Sequence, residues 1–185
     1  IRAQIFESDG SRSGSELLVN TTTSSNQSES SIAALSDGRF AISWTDSSTT
    51  GDDTSLTAIR AQVFESDGNK SGGEFLVNST TDYYQLDSAI AALSDGGFVI
   101  SWSDLSAIGE DASWAAVKAQ RFSADGNKSG AEFLVNTTME GSQAWSTVAP
   151  LEDGRIVIAY ADDYSSFSAI PADRVVGYIR AQIFY

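Results

Sequence analysis

The 185-residue sequence contains no cysteine and no histidine. Lack of cysteine excludes disulfides and thiolate metal sites; it fits many exported bacterial proteins without fixing the compartment. Lack of histidine removes the Ser-His-Asp and Cys-His mechanisms and the usual zinc sites. Positive charge is scarce as well, with 11 Lys and Arg against 25 Asp and Glu and a formal charge of -14. Such a chain repels nucleic acid and anionic lipid surfaces. No stretch approaches the ~20 apolar residues that a membrane-spanning helix needs, so neither nucleic-acid binding nor membrane insertion is expected. The sequence opens at Ile1 with no methionine or signal-like segment, and is expected to be mature, excised or part of a longer chain.

What is present is a repeat. Runs of the type Ile-Arg-Ala-Gln-Ile-Phe start at Ile1, Ile59, Val117 and Ile179, at intervals of 58, 58 and 62 residues. Asp9, Asp67 and Asp125 keep the same register, as do Asn20, Asn78 and Asn136; Gln27, Gln85 and Gln143; Asp37, Asp95 and Asp153; and Trp44, Trp102 and Tyr160. The expected organisation is a single repeat domain over 1–185, with units of about 1–58, 59–116 and 117–178 and an extra strand at 179–185.

Each unit reads as four short strands, because its apolar runs last about five to seven residues and are punctuated by glycine-containing turns. In the middle unit these are Ile59 to Phe64, Glu74 to Asn78, Ser88 to Leu93 and Phe98 to Trp102. Asp95-Gly96 is read as a hairpin turn, and Asp67-Gly68 together with the Gly72-Gly73 region as the turn between the first two strands. Segments such as Ser-Ala-Ile-Ala-Ala-Leu at 88–93 have small side chains on both faces, which suits a strand crowded near the axis of a radial assembly. All six asparagines sit in Asn-x-Ser/Thr triplets, a pattern that repetition and abundant Ser and Thr explain by coincidence.

The phrases Ser-x-Ile-Ala-Ala-Leu-x-Asp-Gly-x-Phe-x-Ile-Ser-Trp, Ile-Arg-Ala-Gln-x-Phe-x-x-Asp-Gly and Gly-x-Glu-Phe-Leu-Val-Asn-x-Thr cover nearly the whole chain. They resemble repeats of large exported bacterial proteins, often found beside calcium-binding nonapeptide (RTX-type) regions. The resemblance implies an all-β fold of β-propeller-like blades in an extracellular or cell-surface protein. It carries no catalytic residues, and the nonapeptide motif itself is absent. Blade order would run from the 88–93 type of strand at the axis, through the Phe98 and Ile59 types, to the Glu74 type at the rim. Three blades are fewer than the four to eight of a closed propeller, so a trefoil-like three-fold barrel is the alternative. Pairing between the N-terminal and C-terminal strands, within one chain or between copies of it, is expected.

Candidate site residues lie where the repeats diverge. Tyr83, Tyr84, Trp114, Trp145, Tyr164 and Phe167 do not recur, so they are the candidates for glycan contacts, although each taken alone is more often an incidental surface or edge residue, whereas the recurring Trp44, Trp102 and Tyr160 are read as packing. Asp46, Asp104 and Asp162 occupy equivalent places, each followed by a second acid, Asp53, Asp111 and, less regularly, Asp173. Oxygen ligands of this kind suit Ca²⁺, yet two or three carboxylates fall short of its six to eight oxygens, so solvated acidic loops are the favoured reading. The expected function is a non-catalytic extracellular repeat module, structural or adhesive. The alternative is a glycan-binding module with a shallow site in each repeat, calcium-dependent if the acids bind metal. A carboxylate-pair hydrolase ranks last.

Overall fold

The computed structural model describes residues 1–163 and 177–184, which form thirteen β-strands and no helix. In chain order these are β1 (Arg2–Phe6), β2 (Arg12–Leu18), β3 (Gln27–Ala34), β4 (Phe40–Asp46), β5 (Ala58–Phe64), β6 (Lys70–Leu76) and β7 (Gln85–Ala92). They continue with β8 (Phe98–Asp104), β9 (Ala116–Phe122), β10 (Lys128–Leu134), β11 (Ser142–Pro150), β12 (Ile156–Asp163) and β13 (Gly177–Phe184). Two antiparallel sheets have four strands, β3-β4-β5-β6 and β7-β8-β9-β10; β11-β12-β13 is three-stranded and β1-β2 two-stranded.

The arrangement is β-propeller-like. The first strands of successive sheets, β3, β7 and β11, lie against one another, whereas the fourth strands, β6 and β10, are largely exposed. The small side chains of β7 permit that close approach, as its sequence implied. Because the sheets are separate, a trefoil-like barrel is not formed. Nor do the terminal strands pair within the chain: β1 bonds to β2 alone, and β13 to β12 alone.

Each four-stranded sheet takes two strands from one sequence unit and two from the next. Units are thereby laced together by hydrogen bonds as well as by packing. Between the two four-stranded sheets lies a core in which Ile59, Ala61 and Val63 meet Phe98, Ile100 and Trp102. The opposite face of the second sheet, with Val99, Val117 and Ala119, packs on Ile158 and Tyr160. With both faces covered, every residue of β5 and β8 is buried, and their polar members, such as Arg60, Gln62 and Asp104, are buried along with the apolar ones. Trp44 and Trp102 are fully buried, and Phe98 stacks on Phe122 with ring centres 5.2 Å apart.

The Asp67-Gly68 turn joins β5 to β6: Asp67 Oδ1 accepts the Asn69 N–H at 2.9 Å, and Gly68 adopts a left-handed φ of 87°. A Cβ there would also lie 2.8 Å from Leu17 Cδ1, and at the equivalent Gly126 one would lie 2.7 Å from Phe75 Cε1. Glycine at this position answers both a backbone and a packing demand. The Gly72-Gly73 region, by contrast, is not part of the turn. It forms a bulge inside β6, where the three residues between Ser71 and Phe75 oppose the single Gln62 between Val63 and Ala61. Gln62 Nε2 fills the bulge, donating to the carbonyls of Val63, Ser71 and Gly72 at 2.8, 3.2 and 3.3 Å. A strand with a buried glutamine plug and a left-handed glycine looks like a turn when read from local sequence alone.

Candidate functional site

The recurring polar residues form a buried seam between sheets. Asn78 Oδ1 accepts the Ile59 N–H at 2.8 Å, while its Nδ2 donates to Asp53 Oδ2 at 3.0 Å and to the Thr80 carbonyl at 2.8 Å. Gln85 lies between Asn78 and Asp104, 3.5 Å from each. Asp104 pairs with Lys118, which reaches Glu132 at 3.2 Å. Burial alone would pull the Lys118 ammonium down, but its bond to Asp104 and the charges of Asp104 and Glu132 hold it above the ordinary lysine range. The next repeat copies the pattern with Asn136 on Asp111 at 2.7 Å, Gln143 on Asp162 at 2.9 Å, and Asp162 paired with Arg180.

These contacts locate the candidate calcium ligands. Asp46, Asp104 and Asp162 face Arg60, Lys118 and Arg180, and Asp53 and Asp111 face asparagine amides. No three acidic residues gather into one metal-sized cluster among the described residues. Asp173, Tyr164 and Phe167 lie outside the described residues. Burial of Asn20, Asn78 and Asn136 also gives three of the Asn-x-Ser/Thr triplets a structural role.

Three of the non-recurring aromatics converge. The linker from β6 to β7 supplies Asp82, Tyr83 and Tyr84; the loop from β8 to β9 supplies Leu105, Ser106, Ala107, Ala112, Ser113 and Trp114. Together they line an open cleft of about 780 Å³, within the range of small-ligand sites. Tyr83 and Tyr84 meet edge to face, with ring centres 4.9 Å apart and planes at 76°. Tyr83 is 53% and Trp114 63% exposed. The Tyr84 carbonyl accepts the Leu105 N–H at 2.9 Å, which pins the two loops together.

The backbone under Tyr83 is unusual. Its φ is 65°, and the equivalent positions hold Ser25 at 59° and Gly141 at 84°. This position demands a left-handed residue, and a bulky side chain there costs about 1 kcal/mol relative to glycine. Ala107, across the cleft, is also left-handed at 53°. Tyr83 is thus an exposed tyrosine at a position better suited to glycine, with its ring set edge to face against Tyr84.

Trp145 is not part of this cleft. It sits in a bulge of β11 with a φ of 53°, equivalent to Glu29 in β3 and Asp87 in β7, both at 56°. These three bulge residues follow one another along the innermost strands: Glu29 Oε2 accepts the Asp87 N–H at 3.3 Å, and Ser103 Oγ accepts the Trp145 N–H at 3.1 Å. Burial, and then the charge of Glu29, hold the Asp87 carboxyl above the usual range. The expectation of a shallow site in each repeat thus becomes one aromatic cleft plus a separate tryptophan on an inner strand. Neither the orphaned cleft serines described below nor the left-handed bulges were legible in the sequence, because both depend on non-local pairing.

The sequence matches no family model and no curated protein sequence. Solved structures are similar in fold. A protein of unknown function from Dyadobacter fermentans aligns with a TM-score of 0.58 at 10% identity, covering 85% of this chain and 51% of its own. An endo-arabinase of Bacteroides thetaiotaomicron aligns at 0.52 and 14% identity, covering 89% and 58%. A mutant sialidase of Streptococcus pneumoniae aligns at 0.51 and 13%, covering 83% and 22%. The chain therefore spans less than two thirds of each of these proteins.

This likeness corrects one expectation. The absence of histidine and cysteine had led to the chain being read as no enzyme, but the sialidase and the endo-arabinase show that glycosidases are built on this kind of fold. The chain shares with them a β-propeller-like fold; the missing residue types exclude particular mechanisms, not catalysis.

Proposed function

We propose that the chain is a glycan-binding portion of an exported β-propeller protein, with its site in the Tyr83–Tyr84–Trp114 cleft. The observation that carries this reading is the convergence of three non-recurring aromatics on one cleft, with Tyr83 held in a backbone conformation that glycine would occupy at less cost. Exposed aromatic rings present flat apolar surfaces to the C–H faces of sugar rings, while nearby hydroxyls serve the sugar hydroxyls. Fold likeness to a sialidase and an endo-arabinase supports a glycan-related role. The acidic, cysteine-free composition and the resemblance to exported bacterial repeats support an extracellular setting.

A glycan array, read with the wild type and with Trp114→Ala, tests the proposal. Saturable binding of at least one glycan, lost in the variant at unchanged melting temperature, is expected; binding indifferent to Trp114 would overturn it. Binding is expected to survive a chelator, because Lys118 and Asn136 already hold the nearby Asp104 and Asp111. The same glycans are to be incubated with the protein and assayed for new reducing ends, which tells binding alone from turnover.

A further inference from the structure

The charge and hydroxyl pattern of the cleft narrows its ligand class, an inference that rests on the proposed glycan reading. Among the described residues no Lys or Arg lines the cleft, and its lining holds one carboxylate, the exposed Asp82 next to Tyr83. Lys118, the basic residue nearest in sequence to the cleft's second loop, is committed to Asp104 and Glu132. A carboxylate-bearing sugar would therefore meet Asp82 with no counter-charge, on a protein of net charge -14.

The serines give the second observation. In the first repeat, Ser48 Oγ donates to Asp46 Oδ2 at 2.7 Å and Ser55 Oγ to the Tyr83 carbonyl at 3.1 Å. Their equivalents in the cleft, Ser106 and Ser113, keep only the backbone half of that pattern, donating their N–H groups to Asp104 and Asp111 at 2.8 and 3.0 Å. Both Oγ atoms are buried and lack any hydrogen-bond partner. Such a group costs stability unless something completes it. Both residues line the same cleft as Tyr83 and Trp114, and a serine side chain has other staggered χ1 positions from which to offer its hydroxyl.

The aromatic platform is also not repeated. Where the cleft has Asp82, Tyr83, Tyr84 and Trp114, the first repeat has Ser24, Ser25, Asn26 and Leu56. We infer that the chain carries one cleft selective for uncharged glycans, which stack on Tyr83 and Trp114, bond through hydroxyls to Ser106 and Ser113, and are distinguished from acidic glycans by Asp82.

Native affinity electrophoresis of the chain through gels containing soluble polysaccharides tests this. The neutral probes are a β-glucan, a galactomannan, a xylan and an arabinan; the acidic probes are alginate, polygalacturonate and polysialic acid. At physiological salt the wild type is expected to be retarded by at least one neutral probe, and to bind every acidic probe at least about tenfold more weakly. Asp82→Lys should keep the neutral retardation and gain acidic retardation. Ser106→Ala with Ser113→Ala should weaken the neutral retardation at unchanged or raised melting temperature. Trp114-dependent retardation by an acidic probe equal to that by a neutral one would overturn the selectivity while leaving glycan binding intact. Retardation by no probe, with the Asp82→Lys variant equally inert, would overturn glycan binding itself.

Discussion

Glu132, on the outer strand of one sheet, accepts the backbone N–H of Ser79 at 2.7 Å, in the linker that leads into that same sheet. Glu74 does the same for Thr21, also at 2.7 Å. The rim of each four-stranded sheet thus grips the chain that enters at its axis side, and the grip is tied by Lys118 to the buried Asp104.

Glu132→Ala should therefore destabilise the chain by about 1.5 to 3 kcal/mol, the usual cost of removing a hydrogen bond to a charged group. The effect is expected to exceed that of Glu16→Ala, because Glu16 makes an exposed pair with Arg2. Urea denaturation of both variants decides the matter, and equal losses would show that the linker contact contributes nothing.

Tyr83→Gly should hold or raise the melting temperature while abolishing glycan retardation. Glycine relieves the left-handed strain at a φ of 65°, partly offset by its greater unfolded-state entropy, so a gain of about 1 kcal/mol at most is expected. Calorimetry paired with affinity electrophoresis separates the two effects. A marked loss of stability would mean that Tyr83 is a packing residue after all.

Trp102→Ala should cost about 3 to 5 kcal/mol and Trp114→Ala within about 0.5. Trp102 is fully buried between the two four-stranded sheets, whereas Trp114 is 63% exposed. Comparable losses in chemical denaturation would reject the division of tryptophans into core and contact.

Recurrence was the informative signal for that division, and it worked because propeller packing asks the same of each sheet. Trp44, Trp102 and Tyr160 recur and are buried; Tyr83, Tyr84 and Trp114 do not, and they meet in space. Trp145 is exposed too but lies outside the cleft, since non-recurrence marks a difference between repeats without saying which surface carries it. The axial place of the small-sided strand was also legible from side-chain size, while the full strand order followed from the resemblance to exported bacterial repeats. Hidden from the sequence were features made by pairing across long separations: the β6 bulge plugged by Gln62, the Asn78–Gln85–Asp104 seam, and the serines left without partners. Three asparagines of the Asn-x-Ser/Thr triplets, Asn20, Asn78 and Asn136, are likewise buried, a role their local sequence did not disclose.

Asp87→Asn should stabilise the chain at neutral pH and make little difference in acid. Burial beside Glu29 raises the folded-state carboxyl above its ordinary value, so the folded chain favours the protonated form. The penalty for ionisation is absent below the unfolded value of about 3.9, grows as pH rises through the folded value, and is complete above it. Asparagine also tolerates the left-handed backbone at this position. Melting curves at pH 3 and pH 7 check the sign; a larger gap at pH 3 than at pH 7 would contradict it.

The lacing of each sheet from two sequence units bears on how such a chain lengthens over generations. The middle seam takes Asp53 from one unit, Asn78, Gln85 and Asp104 from the next, and Lys118 from the one after, so each unit carries a half-joint towards the unit on either side. A tandem duplication of 58 residues, begun at any point in the unit, restores every half-joint to a complementary half. Extra loop residues are tolerated too, since Asp162 still pairs with Arg180 across the longer third interval, whereas a copy that supplied Asp104 without Lys118 would strand a charge in the interior. Gene-level copying in whole units is thus tolerated by the fold itself, and ligand specificity can diverge in one loop without disturbing the joints on either side.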